Sequence, residues 1–317
     1  MDLRFKIVIL FLFCGFLHSQ QDSLTTNEYI TTFPNKISTR ISLVNTSNSF
    51  IINDVANNAK YELKPNVREY LGFSVLFRSI EIDYGFSPKF FNANKDNDNS
   101  RLFNLNFRMF MGQWMQTIDL YNQKGFYFSS NDQRVNLSGV KTFKIGGSTS
   151  YIFNKNFSFR AIGFQNEWQT KSAGSFIPSI YYYYTKYHLT LEDIDEKAHS
   201  YDIAVGPSYY YNFCLSKNFL FSLGAHAGVG LNHSSNLGEG DFTSILYDFS
   251  GRAVVGYNSD TFFAGINSNI ILLEHKIDAY TVQDDTIPFL EFYIGYRFNA
   301  PKKMIKLVDD INKKFGL

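Results

Sequence analysis

Apolar and polar residues alternate along most of this chain with a period of two residues. Successive side chains of a β-strand point to opposite faces, so this period predicts strands that have one apolar face and one polar face. In residues 218–231, the odd-numbered positions from Phe219 to Leu231 are all apolar, whereas the even-numbered positions are asparagine, serine, glycine or histidine, with Leu220 as the exception. The pattern therefore predicts an all-β protein.

The alternating segments are long enough to cross a lipid bilayer. About twelve of them fit between Val67 and Phe298, with fourteen strands as the alternative. A tilted transmembrane strand needs roughly 9–11 residues, whereas a typical strand of a soluble protein has about 5–6. Some segments are separated by short turns and others by longer polar connections, a rhythm typical of outer-membrane barrels. The long connections are predicted at residues 122–137, 188–199, 232–243 and 274–285.

Composition favours a barrel in a membrane over the other all-β folds. Aromatic residues make up 18% of the chain, while the mean hydropathy is only −0.19. Tyrosine clusters at residues 181–184 and 209–211 resemble the aromatic belt that marks a membrane surface. An open sheet edge in hydrocarbon would leave backbone groups unpaired. We therefore predict a closed antiparallel transmembrane β-barrel, with a secreted soluble β-sandwich as the alternative.

The two ends of the chain differ from the strand region. Residues 1–19 contain two basic residues followed by an apolar run, which predicts a secretory signal peptide. Residues 20–35 are polar and predict a loosely ordered periplasmic arm, and the barrel is expected over residues 36–299. Residues 300–317 predict a short amphipathic helix. This helix would pack at the barrel mouth or, alternatively, lie on the membrane surface or dock a partner.

Charge and cysteine content exclude several classes of function. Removal of the leader would leave 28 basic and 28 acidic residues, so nothing favours nucleic-acid binding. Only Cys214 would remain, which excludes an internal disulfide and a cysteine-based metal site. No cofactor and no metal site are predicted. The expected partners are outer-membrane lipids and, during insertion, the barrel-assembly machinery, while the oligomeric state is left open.

Charged residues of both signs occupy the face opposite to the apolar one. Unpaired charges in a narrow lumen are costly, so opposite charges should pair there. The charges would either cross-link a filled barrel or line a narrow channel for small solutes. The residues predicted to line the lumen are Glu81, Asp83, Arg108, Lys144, Arg160, Asp202, His226, Asp248, Arg252, Glu291 and Arg297.

One motif suggests lipid chemistry. The run from Asn232 to Asn236 resembles the His-x-Ser-Asn motif of outer-membrane phospholipases and lipid A deacylases. His233 and Ser235 share one strand face, so the imidazole could accept the serine proton. Such a site needs a third group that orients the histidine, and the nearby Asp248 has the opposite phase. A lipid hydrolase that uses Ser235 and His233 is therefore the minority interpretation, and the leading one has no catalytic residue.

Three motifs of the chain are Leu-Lys-Pro-Asn (63–66), Lys-Ser-Ala-Gly-Ser-Phe (171–176) and Gly-Tyr-Asn-Ser-Asp-Thr-Phe-Phe-Ala-Gly-Ile (256–266). They resemble the outer-membrane family catalogued as domain of unknown function 4421. The likeness extends from roughly Lys36 to Phe298, and it implies a barrel without an assigned activity. The leading functional prediction is a non-enzymatic narrow channel or structural envelope protein in the outer membrane. An adhesin or receptor acting through its outer loops is a further alternative.

Overall fold

The chain is built almost entirely of β-strands, followed by one helix, α1 (Lys302–Phe315). The computed structural model describes residues 28–46, 48–56, 59–66, 69–90, 100–130, 133–163, 166–191, 194–235 and 240–315. The predicted signal peptide lies outside these residues. The strands are β1 (Ile30–Thr32), β2 (Lys36–Thr46), β3 (Ser49–Asp54), β4 (Ala59–Pro65), β5 (Glu69–Phe77), β6 (Ile80–Phe86), β7 (Arg101–Met111), β8 (Trp114–Ser130), β9 (Gln133–Tyr151), β10 (Glu167–Gln169), β11 (Ala173–Leu191), β12 (Ile194–Cys214), β13 (Phe219–Ser235), β14 (Phe242–Asn258), β15 (Phe262–Lys276) and β16 (Thr281–Asn299).

Twelve strands close into an antiparallel barrel, which confirms the predicted fold. In order around the wall they are β2, β5, β6, β7, β8, β9 and β11 to β16. The wall closes because the first of these strands pairs with the last, Lys36 lying opposite Asn299 and Thr46 opposite Phe289. Every strand of the ring thus has two neighbours, as strands in hydrocarbon require. We call the end where β2 begins and β16 ends the terminal mouth, and the opposite end the far mouth.

The hairpin of β3 and β4 narrows the far mouth. The second half of β16 pairs with β2 and its first half pairs with β3, while β8 pairs first with β7 and then with β4. The far mouth is therefore ringed by ten strands and the rest of the wall by twelve. Gly125, with a φ of 89°, lies where β8 changes partner. A side chain there would collide with Ser100.

The polar segments predicted as long outer loops are mostly strand. The strands β8, β9 and β11 to β16 have 15 to 21 residues each, more than a bilayer crossing needs. For example, β8 continues to Ser130 and β9 begins at Gln133, within the predicted connection 122–137. The prediction was wrong because a strand that extends past the lipid into water has the polarity of a loop.

The longest described connection of the terminal mouth folds into the barrel. Residues 152–172 join β9 to β11 and contain a 3-10 turn, Arg160–Gly163, and the strand β10. Strand β10 pairs with β1, Gln169 lying opposite Ile30. Residues 28–35, predicted as part of a loosely ordered arm, are instead held here by this pairing. We call residues 28–35, 152–163 and 166–172 together the plug.

Apolar residues seal the plug against the inside of the wall. Leu220, the exception to the alternation of β13, is fully buried because it faces the plug and not water. Phe263 on β15 is 1% exposed in the same cluster. The indole N–H of Trp168 donates to the carbonyl of Lys217 at 3.1 Å. The buried members of the cluster are Phe110, Met115, Ile152, Phe157, Phe159, Ala161, Ile162, Trp168, Ala173, Ile177, Leu220, Val254, Phe263 and Tyr293.

The outer face of the wall is apolar. Ile203, Leu231 and Ile294 are between 53% and 58% exposed, the opposite of what a soluble sandwich requires. The soluble alternative is therefore wrong.

None of the helices in the described part of the chain is long and apolar enough to cross a membrane. At the terminal mouth the apolar belt ends in a girdle of aromatic rings that point outward: Trp114, Tyr151, Phe153, Phe176, Phe213, Phe219, Tyr257, Phe262, Tyr296 and Phe298.

Candidate functional site in the barrel lumen

Five charged side chains meet on the lumen wall formed by β2, β6, β7 and β16. Glu81 and Arg108 are directly opposite each other on paired strands, and Arg108 donates to the Glu81 carboxylate at 2.6 Å. Arg40 donates to Asp83 at 3.0 Å. The Arg40 guanidinium also lies 3.8 Å from Glu81 and 3.7 Å from Glu291. Because Glu81 is 1% and Glu291 3% exposed, these contacts supply the opposite charges that burial requires.

A more solvent-accessible part of the lumen adjoins this cluster. The Tyr183 hydroxyl donates to Asp119 at 2.9 Å, and the Lys144 ammonium lies 4.8 Å from the centre of the Tyr183 ring. Tyr121 faces inward opposite Lys144 and is 38% exposed. The lumen therefore has accessible space beside this wall. Tyr183 belongs to a cluster predicted as part of the outer aromatic belt, and that assignment was wrong for this inward-facing residue.

A serine, a histidine and an aspartate are joined on neighbouring strands of the opposite wall. One ring nitrogen of His226 lies 3.2 Å from the Ser208 hydroxyl, and the other lies 3.2 Å from Asp248. The centre of the Tyr181 ring is 4.9 Å from that of His226. These are the side chains of a hydrolytic triad, but Ser208, His226 and Asp248 are all less than 8% exposed. In this enclosed arrangement they form a structural hydrogen-bond network.

The remaining predicted lumen residues are spread along the interior. Asp202 on β12 accepts a hydrogen bond from the Asn232 amide at 2.5 Å. Arg252 is half-buried on β14 at an inward position, opposite Gly224 of β13. The eleven residues thus do not converge on one site.

Arg160 and Arg297 hold the plug. Arg160 lies in the 3-10 turn, not on a strand as its assigned phase implies, and it pairs with Glu167 at 2.9 Å. The Arg297 side chain is 1% exposed and donates to the Asn258 side chain at 2.6 Å. Its guanidinium also lies 4.4 Å from the centre of the Phe33 ring. Both cations therefore help to hold the plug in the terminal mouth.

Gln169 connects the parts of the plug to one another. Its side-chain N–H groups donate to the carbonyls of Tyr29, Asn156 and Lys171 at 2.6–3.1 Å. Its side-chain oxygen accepts from the Ser158 backbone N–H at 2.8 Å and from the Asn212 amide at 3.1 Å. One buried side chain thus links β1, the inward-folded connection and the wall.

An exposed ion pair joins the first and last segments of the plug. The Lys171 ammonium bonds to the Glu28 carboxylate at 2.5 Å. This hydrogen bond and the lysine charge lower the pKa of Glu28, and the same contact raises the pKa of Lys171. The pair therefore stays ionised over the neutral range, although its exposure limits what it contributes to stability.

His233 and Ser235 lie on the outer face of β13, close to the far end of the apolar belt. His233 hydrogen-bonds the Thr243 hydroxyl at 2.8 Å, and no hydrogen bond joins it to Ser235 among the described contacts. Ser235 lies opposite His199, whose ring is bonded to the Tyr184 hydroxyl. Asp248, the nearest candidate to orient a base, is bound to His226 on the other face. The two predicted catalytic residues therefore share a face, but the described contacts do not join them.

Within the described ranges, no group of three or more histidine, cysteine, aspartate or glutamate residues is arranged to hold a metal ion.

The closed wall, the apolar belt and the charged lumen define the class of the protein, a transmembrane β-barrel of the outer-membrane type. The chain belongs to the family described as Domain of unknown function (DUF4421), whose model matches residues 20–298. The resemblance found in the sequence is thereby confirmed.

Several solved structures are similar to this chain at low identity. The outer-membrane protease OmpT from Escherichia coli is 9% identical with a TM-score of 0.31, and the match covers 88% of this chain and 100% of that one. An outer-membrane channel from Pseudomonas putida F1 is 9% identical with a TM-score of 0.35, covering 87% of this chain and 100% of that one. No curated protein matches the sequence.

Proposed function

We propose that the protein is a non-enzymatic protein of the outer membrane whose barrel is occluded. The observation that carries this proposal is the plug, which occupies the terminal mouth and is sealed by a buried apolar cluster. The paired charges of Arg40, Glu81 and Arg108 cross-link the wall behind it. Such a barrel serves as a structural element of the envelope, or as a pore that opens only when the plug moves.

The arrangement of the candidate catalytic groups favours a role without catalysis. His233 is bonded to Thr243, so its ring is not aimed at the Ser235 hydroxyl. The network of Ser208, His226 and Asp248 has the right residue types but is enclosed. A nucleophile needs a base within hydrogen-bond reach and space for a substrate, and each group lacks one of these.

Conductance across a planar bilayer tests the occlusion. The refolded wild-type protein is expected to give no stable conductance. Replacing residues 157–169 by a flexible glycine–serine linker of the same length removes the apolar seal and the partner of β1, so this variant should conduct in discrete steps. Heat-modifiable migration on gels checks that both barrels are folded. Steady conductance by the wild-type protein would overturn the proposal.

A narrow cation-preferring channel is the second candidate. It is supported by the accessible Tyr121 and by an excess of acidic over basic residues at the described inward positions of the wall. Rings of carboxylates favour cations in pores. In this case the wild-type barrel would conduct with a low unit conductance. The inward carboxylates are Asp54, Glu81, Asp83, Asp119, Glu196, Asp202, Asp248, Asp285 and Glu291, and the inward cations are Lys36, Arg40, Arg108, Lys144, Arg252 and Arg297.

A further inference from the structure

Two residues of the outer wall are buried although their neighbours face lipid. Ile37 lies opposite Phe298 on β16 and opposite Phe77 on β5, and Phe77 lies opposite Ile80. Directly opposed residues of antiparallel strands share a face, so all four point outward. Phe298 and Ile80 are 43% and 45% exposed, whereas Ile37 and Phe77 are only 8% and 7% exposed. Something other than lipid therefore covers the outer wall at this point.

The covering element is the C-terminal helix α1. Met304, Ile305 and Val308 pack against Ile37 and Phe77. The Arg78 guanidinium, in the turn between β5 and β6, bonds to the Asp309 carboxylate of the helix at 2.6 Å and fixes its position. The helix was expected to pack at the barrel mouth, but it lies against the outside of the wall, beside the mouth.

The position of α1 is the level of the membrane surface. Trp114 and Phe298 of the aromatic girdle end the apolar belt at the same rim, and aromatic girdles lie at the boundary between lipid and water. Ile41, four residues further along β2 on the same face as Ile37, is 52% exposed and belongs to the belt. The helix thus takes the place of the girdle over β2 and β5.

The side of the helix that faces away from the wall is basic. Lys302, Lys303 and Lys306 are exposed. Of the two aspartates of the helix, Asp309 is bonded to Arg78 and Asp310 is exposed on the lysine side, where the three exposed lysines outnumber it. Leu307 is 60% exposed on the same helix. Lysine ammonium groups beside an exposed leucine suit a surface where phosphates lie next to acyl chains.

We propose that α1 is a binding surface for anionic phospholipid headgroups in the leaflet that surrounds the terminal mouth. The lysines bind headgroup phosphates, and Leu307 enters the edge of the acyl region. The inference rests on the outer wall and the helix alone, so it stands whether or not the lumen conducts. It assigns the C-terminal segment to lipid contact and not to the lumen.

Lipid binding by the full-length barrel in detergent tests this proposal. Phosphatidylglycerol and phosphatidylcholine are titrated separately, and the dissociation constants are measured by native mass spectrometry. The wild-type protein is expected to bind phosphatidylglycerol more tightly. The variant K303Q/K306Q should lose roughly ten- to thirty-fold in affinity for phosphatidylglycerol and little for phosphatidylcholine, since each lysine near an anionic surface contributes substantially to binding.

The matched control is K155Q/K217Q, which removes two exposed lysines from the same mouth at turns remote from α1. It should bind both lipids as the wild type does. Hydrogen exchange of the wild-type protein in nanodiscs localises the effect, because phosphatidylglycerol should increase protection of residues 302–315 over phosphatidylcholine alone. Equal wild-type affinities for the two lipids, an equal loss in the control, or unchanged exchange of the helix would each refute the proposal.

Discussion

Glu81 shows how a single residue sets the chemistry of the lumen. It is 1% exposed and lies between two arginines that come from different strands. A buried carboxylate is stable only with such partners, and a buried cation that loses its partner is left with the full cost of desolvation. Glu81 therefore links β2, β6 and β7 through charge as well as through the backbone.

Replacing Glu81 by Gln should lower the free energy of unfolding by about 3 kcal/mol, because Arg108 then lacks its closest carboxylate. The matched control is Glu62→Gln, since Glu62 forms an ion pair of 2.7 Å with Lys64 in which both side chains are about one third exposed. That change should cost about 1 kcal/mol or less. Urea unfolding in detergent micelles, followed by tryptophan fluorescence, measures both. Similar losses in the two variants would contradict the argument.

The sequence placed some residues of the charged cluster correctly and missed others for identifiable reasons. Alternation assigned Glu81 and Arg108 to one face, and they lie opposite each other in the structure. Tyr183 was assigned wrongly to the outer aromatic belt because it lies in a run of four tyrosines, in which alternation does not distinguish the two faces. Arg40 and Ser208 were not predicted as site residues. Alternation assigns a side chain to a face, but it does not give the register that brings the side chain next to its partner on another strand.

At the scale of elements, the strands were predictable and the plug was not. A transmembrane strand must show lipid one face, so its pattern is imposed by the environment. The apolar residues of the plug contact the inside of the wall from several directions and do not lie on one strand face, so they follow no period of two. One signal was present: Leu220 breaks the alternation of β13 because it faces the plug, as Phe263 does on β15. Apolar residues at inward positions near one mouth indicate an inward-folded segment.

Replacing Gln169 by Leu should loosen the plug without unfolding the wall. The change removes five hydrogen bonds, and the buried Ser158 backbone N–H loses the partner described for it, a loss that costs about 1–3 kcal/mol. Hydrogen exchange of residues 156–171 and of β1 should accelerate, while that of β13 and β14 stays unchanged. The control is Gln283→Leu, which is equally buried but lies near the far mouth. Unchanged exchange of the plug would show that Gln169 does not hold it.

For the whole molecule, the unequal numbers of inward charges set the expected behaviour of an opened barrel. Acidic residues exceed basic ones along the described inner wall, so the lumen should carry a negative potential. The barrel with the linker in place of residues 157–169 is therefore expected to prefer potassium over chloride. Reversal potentials in a potassium chloride gradient measure this preference. Adding Asp119→Asn and Asp202→Asn to that barrel should reduce it, and an anion preference in the parent barrel would contradict the charge assignment.

The hairpin of β3 and β4 has a consequence for how the molecule is assembled. Asn53 in β3 donates to Asp284 in β16, a residue 231 positions later in the chain. The narrow ring of ten strands cannot exist until the last strand has arrived, and the same strand also completes the wall by pairing with β2. Formation of the far mouth and closure of the wall are thus one kinetic event. Until that event, the hairpin displays a free edge to which any other incomplete chain can add.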